Sequence, residues 1–101
     1  MTNNNEWGSA QFSVQNGSGS PFIITPCGRE RWALEALIAA GKKGCTPMEH
    51  PGPRWAAYVA DLRNMGLQIE TIREAHAGPF AGHHARYILR SAVRHVGKGQ
   101  R

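Results

Sequence analysis

The sequence predicts an α+β fold, three helices followed by an antiparallel β-hairpin. Three observations carry that prediction. Residues 29–40, RERWALEALIAA, are rich in good helix formers and end at Gly41. Residues 46–66, TPMEHPGPRWAAYVADLRNMG, hold two helix-start signals separated by a Pro-Gly-Pro break. Residues 67–74 and 85–90 alternate apolar with polar side chains, on either side of a Gly/Pro loop.

Taken in order, residues 1–20 read MTNNNEWGSAQFSVQNGSGS. Asn, Gly, Ser and Gln dominate, so composition predicts a flexible N-terminal tail. Trp7, Phe12 and Val14 are its exceptions, either docking loosely on the domain or forming a short binding segment. PFIITP, 21–26, is a short strand or an extended lead-in, with Thr25-Pro26 as helix cap and first helical residue. In the first helix Leu34, Leu37 and Ile38 make an apolar stripe. Trp32 lies off it, near Ala36 and Ala39, and either packs under the N-terminal arm against Phe22 or faces a partner.

GKKGC, 41–45, is a turn. Thr46-Pro47-Met48-Glu49 has the Thr-x-x-Glu form of a capping box and starts a short second helix. Pro51-Gly52-Pro53 stops it and starts the third, from about 53 to 65. Trp55, Tyr58, Val59, Leu62 and Met65 share one side of that helix. Ala56, Ala57, Ala60, Asp61, Arg63 and Asn64 lie on the other, and Gly66 closes it. Two strands follow, joined by AHAGPFAGH. The domain therefore spans 21–92, between the tail at 1–20 and a basic C-terminal tail at 93–101. No internal repeat is visible.

Two closely spaced helices joined by a tight break make a helix-turn-helix, and a hairpin directly after them supplies a wing. The short helix is a brace, and the rigid break aims the longer helix. From Thr25 to Leu89 the chain resembles the small winged helix-turn-helix DNA-binding domains of bacterial and phage proteins. The resemblance rests on RWAAYVADLRNMGLQIET, 54–71, and on a wing ending in HHARYIL. It covers roughly two thirds of the chain. It implies a third helix in the major groove and a wing along the backbone or minor groove.

On that basis Arg54, Ala57 and Asn64 of the third helix are candidate DNA contacts. Arg can hold guanine by two hydrogen bonds and Asn can pair with adenine. Lys42 and Lys43 form a basic turn. Arg73, His83, His84 and Arg86, with Arg90 and Arg94, give the wing and its exit a positive cast suited to phosphates. Asp61 would repel phosphates, so it and Arg63 are read as structural. Net charge is +5, from 12 Lys and Arg against 7 Asp and Glu. That balance favours an acidic partner, double-stranded DNA first. The expected role is a non-catalytic transcriptional regulator or accessory factor of a bacterium or phage. A homodimer would extend a short site to two half-sites. The rival role is a winged-helix protein-interaction module without DNA, using Trp32 or the N-terminal tail.

Other classes find little support. No apolar run is long enough to span a membrane and no secretory signal is visible, so a cytoplasmic location is the expectation. Cys27 and Cys45 lack metal spacing and read as two free thiols. His76, His83 and His84 cluster around the wing, with His50 and Cys45 not far off in sequence, but zinc spacing is lacking. Pairs such as Glu49–His50 or Cys45–His50 arise by chance, and GKKGCT lacks the phosphate-loop spacing. No metal, cofactor or catalytic residue is expected.

Overall fold

The computed structural model describes residues 8–47, 49, 54–76 and 82–96, with His76 and His83 described by their backbone alone. The chain runs β1 (Gln11–Gln15), β2 (Phe22–Ile24), α1 (Gly28–Ala40), a 3₁₀ turn (Gly41–Lys43), α2 (Trp55–Asn64), β3 (Ile69–His76), β4 (Gly82–Leu89) and β5 (Ala92–Val96). Two antiparallel sheets result. One has the order β2-β1-β5 and the other is the β3-β4 hairpin.

The α+β content and the hairpin after the last helix are as expected. The helix count is not, since the described residues form two α-helices rather than three. Thr46 Oγ1 does accept the Glu49 N–H at 3.0 Å, so half of the capping box is made. Residues 47 and 49 nevertheless lie in a turn. Pro51 is the physical reason. It lacks an N–H and its ring would meet the carbonyl of Pro47, so the nucleus has too few residues to repay its cost. Met48, His50 and Pro51 to Pro53 lie outside the described residues.

Residues 8–20 are not a flexible tail. Gln11-Phe12-Ser13-Val14-Gln15 alternates at strand period, and β1 is the central strand of its sheet. Phe12 and Val14 are wholly buried. Asn16 Nδ2 donates to the Gly66 carbonyl at 2.8 Å, and Ser91 Oγ donates to Asn16 Oδ1. The first sheet is thus pinned to the junctions before β3 and after β4. The C-terminal boundary also moves. Residues 93–96 belong to β5, which pairs with β1 from Gln11↔Val96 to Gln15↔Ala92. Trp7 and residues 97–101 lie outside the described residues.

The core sits between the helices and the two sheets. It takes Phe12, Val14 and Ile24 from the first sheet and Ala33, Leu34 and Leu37 from α1. Trp55, Tyr58, Val59 and Leu62 come from α2, with Leu67, Ile69 and Tyr87 from the hairpin side. Helix α1 begins at Gly28 behind Cys27, two residues later than the Thr25-Pro26 expectation. The Pro26 carbonyl instead accepts the Ala10 N–H at 3.2 Å, which holds this segment extended. Trp32 packs on Trp55 and Tyr58, with ring centroids 5.3 and 6.4 Å away. Phe22, its expected neighbour, lies instead against Gly66.

Candidate nucleic-acid interface

Helix α2 presents two unlike sides. Trp55, Tyr58, Val59 and Leu62 are buried, while Ala56, Ala60, Arg63 and Asn64 are exposed and Ala57 and Asp61 are half-buried. Arg54 caps the helix N-terminus and is exposed. The polar side chains at the margins are engaged. Arg63 donates from Nη2 to the Ile69 carbonyl at 2.6 Å and to Thr71 Oγ1 at 2.7 Å, tying α2 to β3. Asp61 hydrogen-bonds with Glu30 of α1, and that bond, helped by burial, holds the Glu30 carboxyl above its ordinary range. The structural roles expected of Asp61 and Arg63 thus have named partners. An open cleft of about 380 Å³ lies beside Asp61, lined by Cys27, Arg29, Glu30, Arg54, Ala57 and Tyr58.

The hairpin register divides the wing residues between two faces. Side chains alternate along a strand, so paired residues share a face. One face carries the pairs Ile69↔Leu89, Thr71↔Tyr87, Arg73↔Ala85 and Ala75↔His83. This face meets α2, because Tyr87 stacks on Trp55 at 6.0 Å and Arg63 reaches Thr71. The other face carries Glu70↔Ile88, Ile72↔Arg86 and Glu74↔His84.

On that second face the expected DNA contacts are engaged with protein. Arg86 donates to Glu74 at 2.7 Å, to the Lys43 carbonyl at 2.9 Å and to Glu49 at 3.5 Å. His84 Nε2 lies 3.1 Å from Glu74. The Arg86 hydrogen bond holds the Glu74 carboxyl below its ordinary range, with His84 adding to the effect, although desolvation opposes it. Arg90 pairs with Glu70. Arg86 is thus a brace between the wing and the 41–49 turn. Glu74 was not singled out from the sequence, and Glu49 figures there only as part of a capping box and of a chance pair with His50. The signal for Glu74 was present only as strand register, which places it opposite His84.

The structure brings Arg54, Ala57 and Asn64 together on α2, with Arg73 on the wing face that adjoins it. His83 pairs with Ala75 in the backbone register. Arg86 and His84 are on the opposite face. Lys42 and Lys43 are exposed on the 3₁₀ turn, next to Arg86 through the Lys43 carbonyl. Among the described residues Lys42, Lys43, Arg54 and Arg73 have no carboxylate partner.

Both cysteines are free, Cys27 exposed and Cys45 buried. Burial pushes the Cys45 thiol up to about 11. Among the described residues no three His, Cys, Asp or Glu side chains are grouped to hold a metal ion, and no helix is long and apolar enough to cross a membrane. A family model described as "Winged helix domain" matches residues 23–99. No curated protein and no solved structure matches the chain.

Proposed function

The chain belongs to the winged helix domain family, and on that basis we propose that it binds double-stranded DNA without catalysis. In this reading α2 enters the major groove and the wing lies along the backbone. The biological role is that of a transcriptional regulator or accessory DNA-binding factor in the cytoplasm of a bacterium, or of a phage within one. A homodimer would read two half-sites.

One observation carries the reading. Arg54 at the start of α2 and Arg73 on the adjoining wing face are cations without a carboxylate partner among the described residues. The working interface is therefore Arg54, Ala57, Asn64 and Arg73. Lys42 and Lys43 serve as outlying phosphate contacts, and His83 as a further wing contact. Arg86 and His84 support the wing from behind.

The rival reading, a protein-interaction module using Trp32 or the N-terminal tail, draws less support from the packing. Trp32 packs on Trp55 and Tyr58, and Phe12 and Val14 are in the core.

The test is a titration of fluorescent duplex DNA at low and at physiological salt. Binding should weaken with salt, and Arg54→Ala and Arg73→Ala should each lower the salt slope by about one unit. Arg86→Ala should leave the slope nearly unchanged. Absence of binding at low salt sinks the DNA reading and leaves the protein-interaction one.

A further inference from the structure

We propose that α2 reads A·T base pairs in preference to G·C, through thymine methyl groups and the major-groove edge of adenine. The inference rests on the DNA-binding reading above and specifies its substrate. Helical residues advance by about 100° each. Trp55, Tyr58, Val59 and Leu62 define the buried side. Ala57, Ala60 and Asn64 then fall on the line opposite it, the line a groove would meet.

The side chains on that line decide what can be read. Guanine needs two donors from one side chain, which Arg supplies best. Arg63 is committed to Ile69 and Thr71. Arg54 sits at the helix start on the α1 margin, in the cleft it shares with Asp61, which suits it to phosphate. Cytosine needs an acceptor for its N4 amino group. Asp61 is the one carboxylate on α2, and it is off the line.

What remains is two methyl groups and one carboxamide. An alanine methyl can pack on the C5-methyl of thymine, a group cytosine lacks. The Asn64 carboxamide can donate to adenine N7 and accept from its N6 amino group. The two small side chains also let the helix backbone approach the base edges, which brings the Asn64 carboxamide within reach.

The experiment uses the full chain and four labelled duplexes of equal length. These are an A·T duplex, the same sequence with uracil for thymine, a G·C duplex, and that duplex with 5-methylcytosine. Uracil removes only the major-groove methyl, so a preference arising in the minor groove would survive the exchange. The A·T duplex should bind about tenfold tighter than its uracil counterpart. 5-Methylcytosine should recover part of the loss on G·C. Asn64→Ala, checked for folding by circular dichroism, should reduce the A·T preference by weakening A·T binding more than G·C binding. Equal affinity for thymine and uracil duplexes overturns the inference while the DNA reading stands. Failure to bind any duplex at low salt overturns the DNA reading beneath it.

Discussion

Glu30 and Asp61 meet where α1 crosses α2, two carboxyl groups sharing a hydrogen bond beside the proposed reading face. The bond needs a proton, so the folded state holds the Glu30 proton above its ordinary value of 4.5. A carboxyl raised in this way contributes stability that is full below its unfolded value and is lost as pH rises through the folded one. Once pH has risen past the folded value that contribution is gone. Glu30→Gln, a permanent neutral donor, should therefore raise Tm on the alkaline side of that value. The gain should vanish below pH 4.5, where wild-type Glu30 carries its own proton. Thermal melts across that range decide it, and a gain that persisted in acid would contradict the shared proton. The two thiols differ as sharply. Cys27 is exposed, while burial pushes Cys45 up to about 11. Since the thiolate is the nucleophile, a thiol titration of the native protein at pH 8 should show one fast group and a second only after unfolding.

At the scale of elements, the wing is held by backbone and charge together. Cys45 and Tyr87 exchange both backbone hydrogen bonds, at 2.9 and 2.8 Å, so the turn before α2 lies directly against β4. Gly44 permits that approach. Its φ is +74°, and a Cβ there would stand 2.5 Å from the Tyr87 carbonyl oxygen and 2.8 Å from Ile88. Gly44→Ala should cost about 1–3 kcal/mol from a positive-φ, extended-ψ backbone open essentially to glycine alone, with the clash added, and should weaken the proposed DNA binding by loosening the wing. The Arg86 brace adds a pH dependence of the opposite sign to that of Glu30. Glu74 is lowered in the folded state, so its contribution is full above pH 4.5 and is lost as pH falls through the folded value. Glu74→Gln should thus lower Tm at pH 7 and leave a protein whose remaining melting temperature falls less between pH 5 and pH 3. The basic residues of this wing were legible in the sequence, but their partners were not. Whether Arg86 faces DNA or Glu74 depends on register, since a slip of one residue exchanges the two faces. No local pattern in HHARYIL fixes that register. By contrast α2 was legible nearly to the residue, because Trp55, Tyr58, Val59 and Leu62 repeat at helical period and Gly66 ends the run at φ +107°.

For the whole molecule, the parts that escaped sequence reading are those made by joining distant segments. QFSVQ is only five residues, set among Asn, Gly and Ser, and composition outweighed its alternation. AVRHV follows β4 after two residues and reads as a fraying end. Each becomes a strand because the other is present, across some eighty residues of chain, as Phe12↔His95 and Val14↔Val93 show. Such a pairing bears a loop-closure cost that only the finished core repays. Phe12 is the main instalment, wholly buried and in ring contact with His95 at a centroid distance of 4.4 Å. His95 in turn lies 3.1 Å from Glu35 of α1, so β5 is fastened to the helix as well as to β1. Removing β1 would therefore strip both β2 and β5 of their ladder partner. Phe12→Ala should cost about 3–5 kcal/mol, a large share of the stability of a domain this small. A chain beginning at residue 20 should lose cooperative urea unfolding altogether, because two edge strands cannot form a sheet without the strand between them. An unchanged urea midpoint in either variant would return residues 8–20 to the status of a dispensable tail. With β1 in place, β5 is held against it and against Glu35 of α1, the helix on which Trp55 and Tyr58 of α2 pack through Trp32.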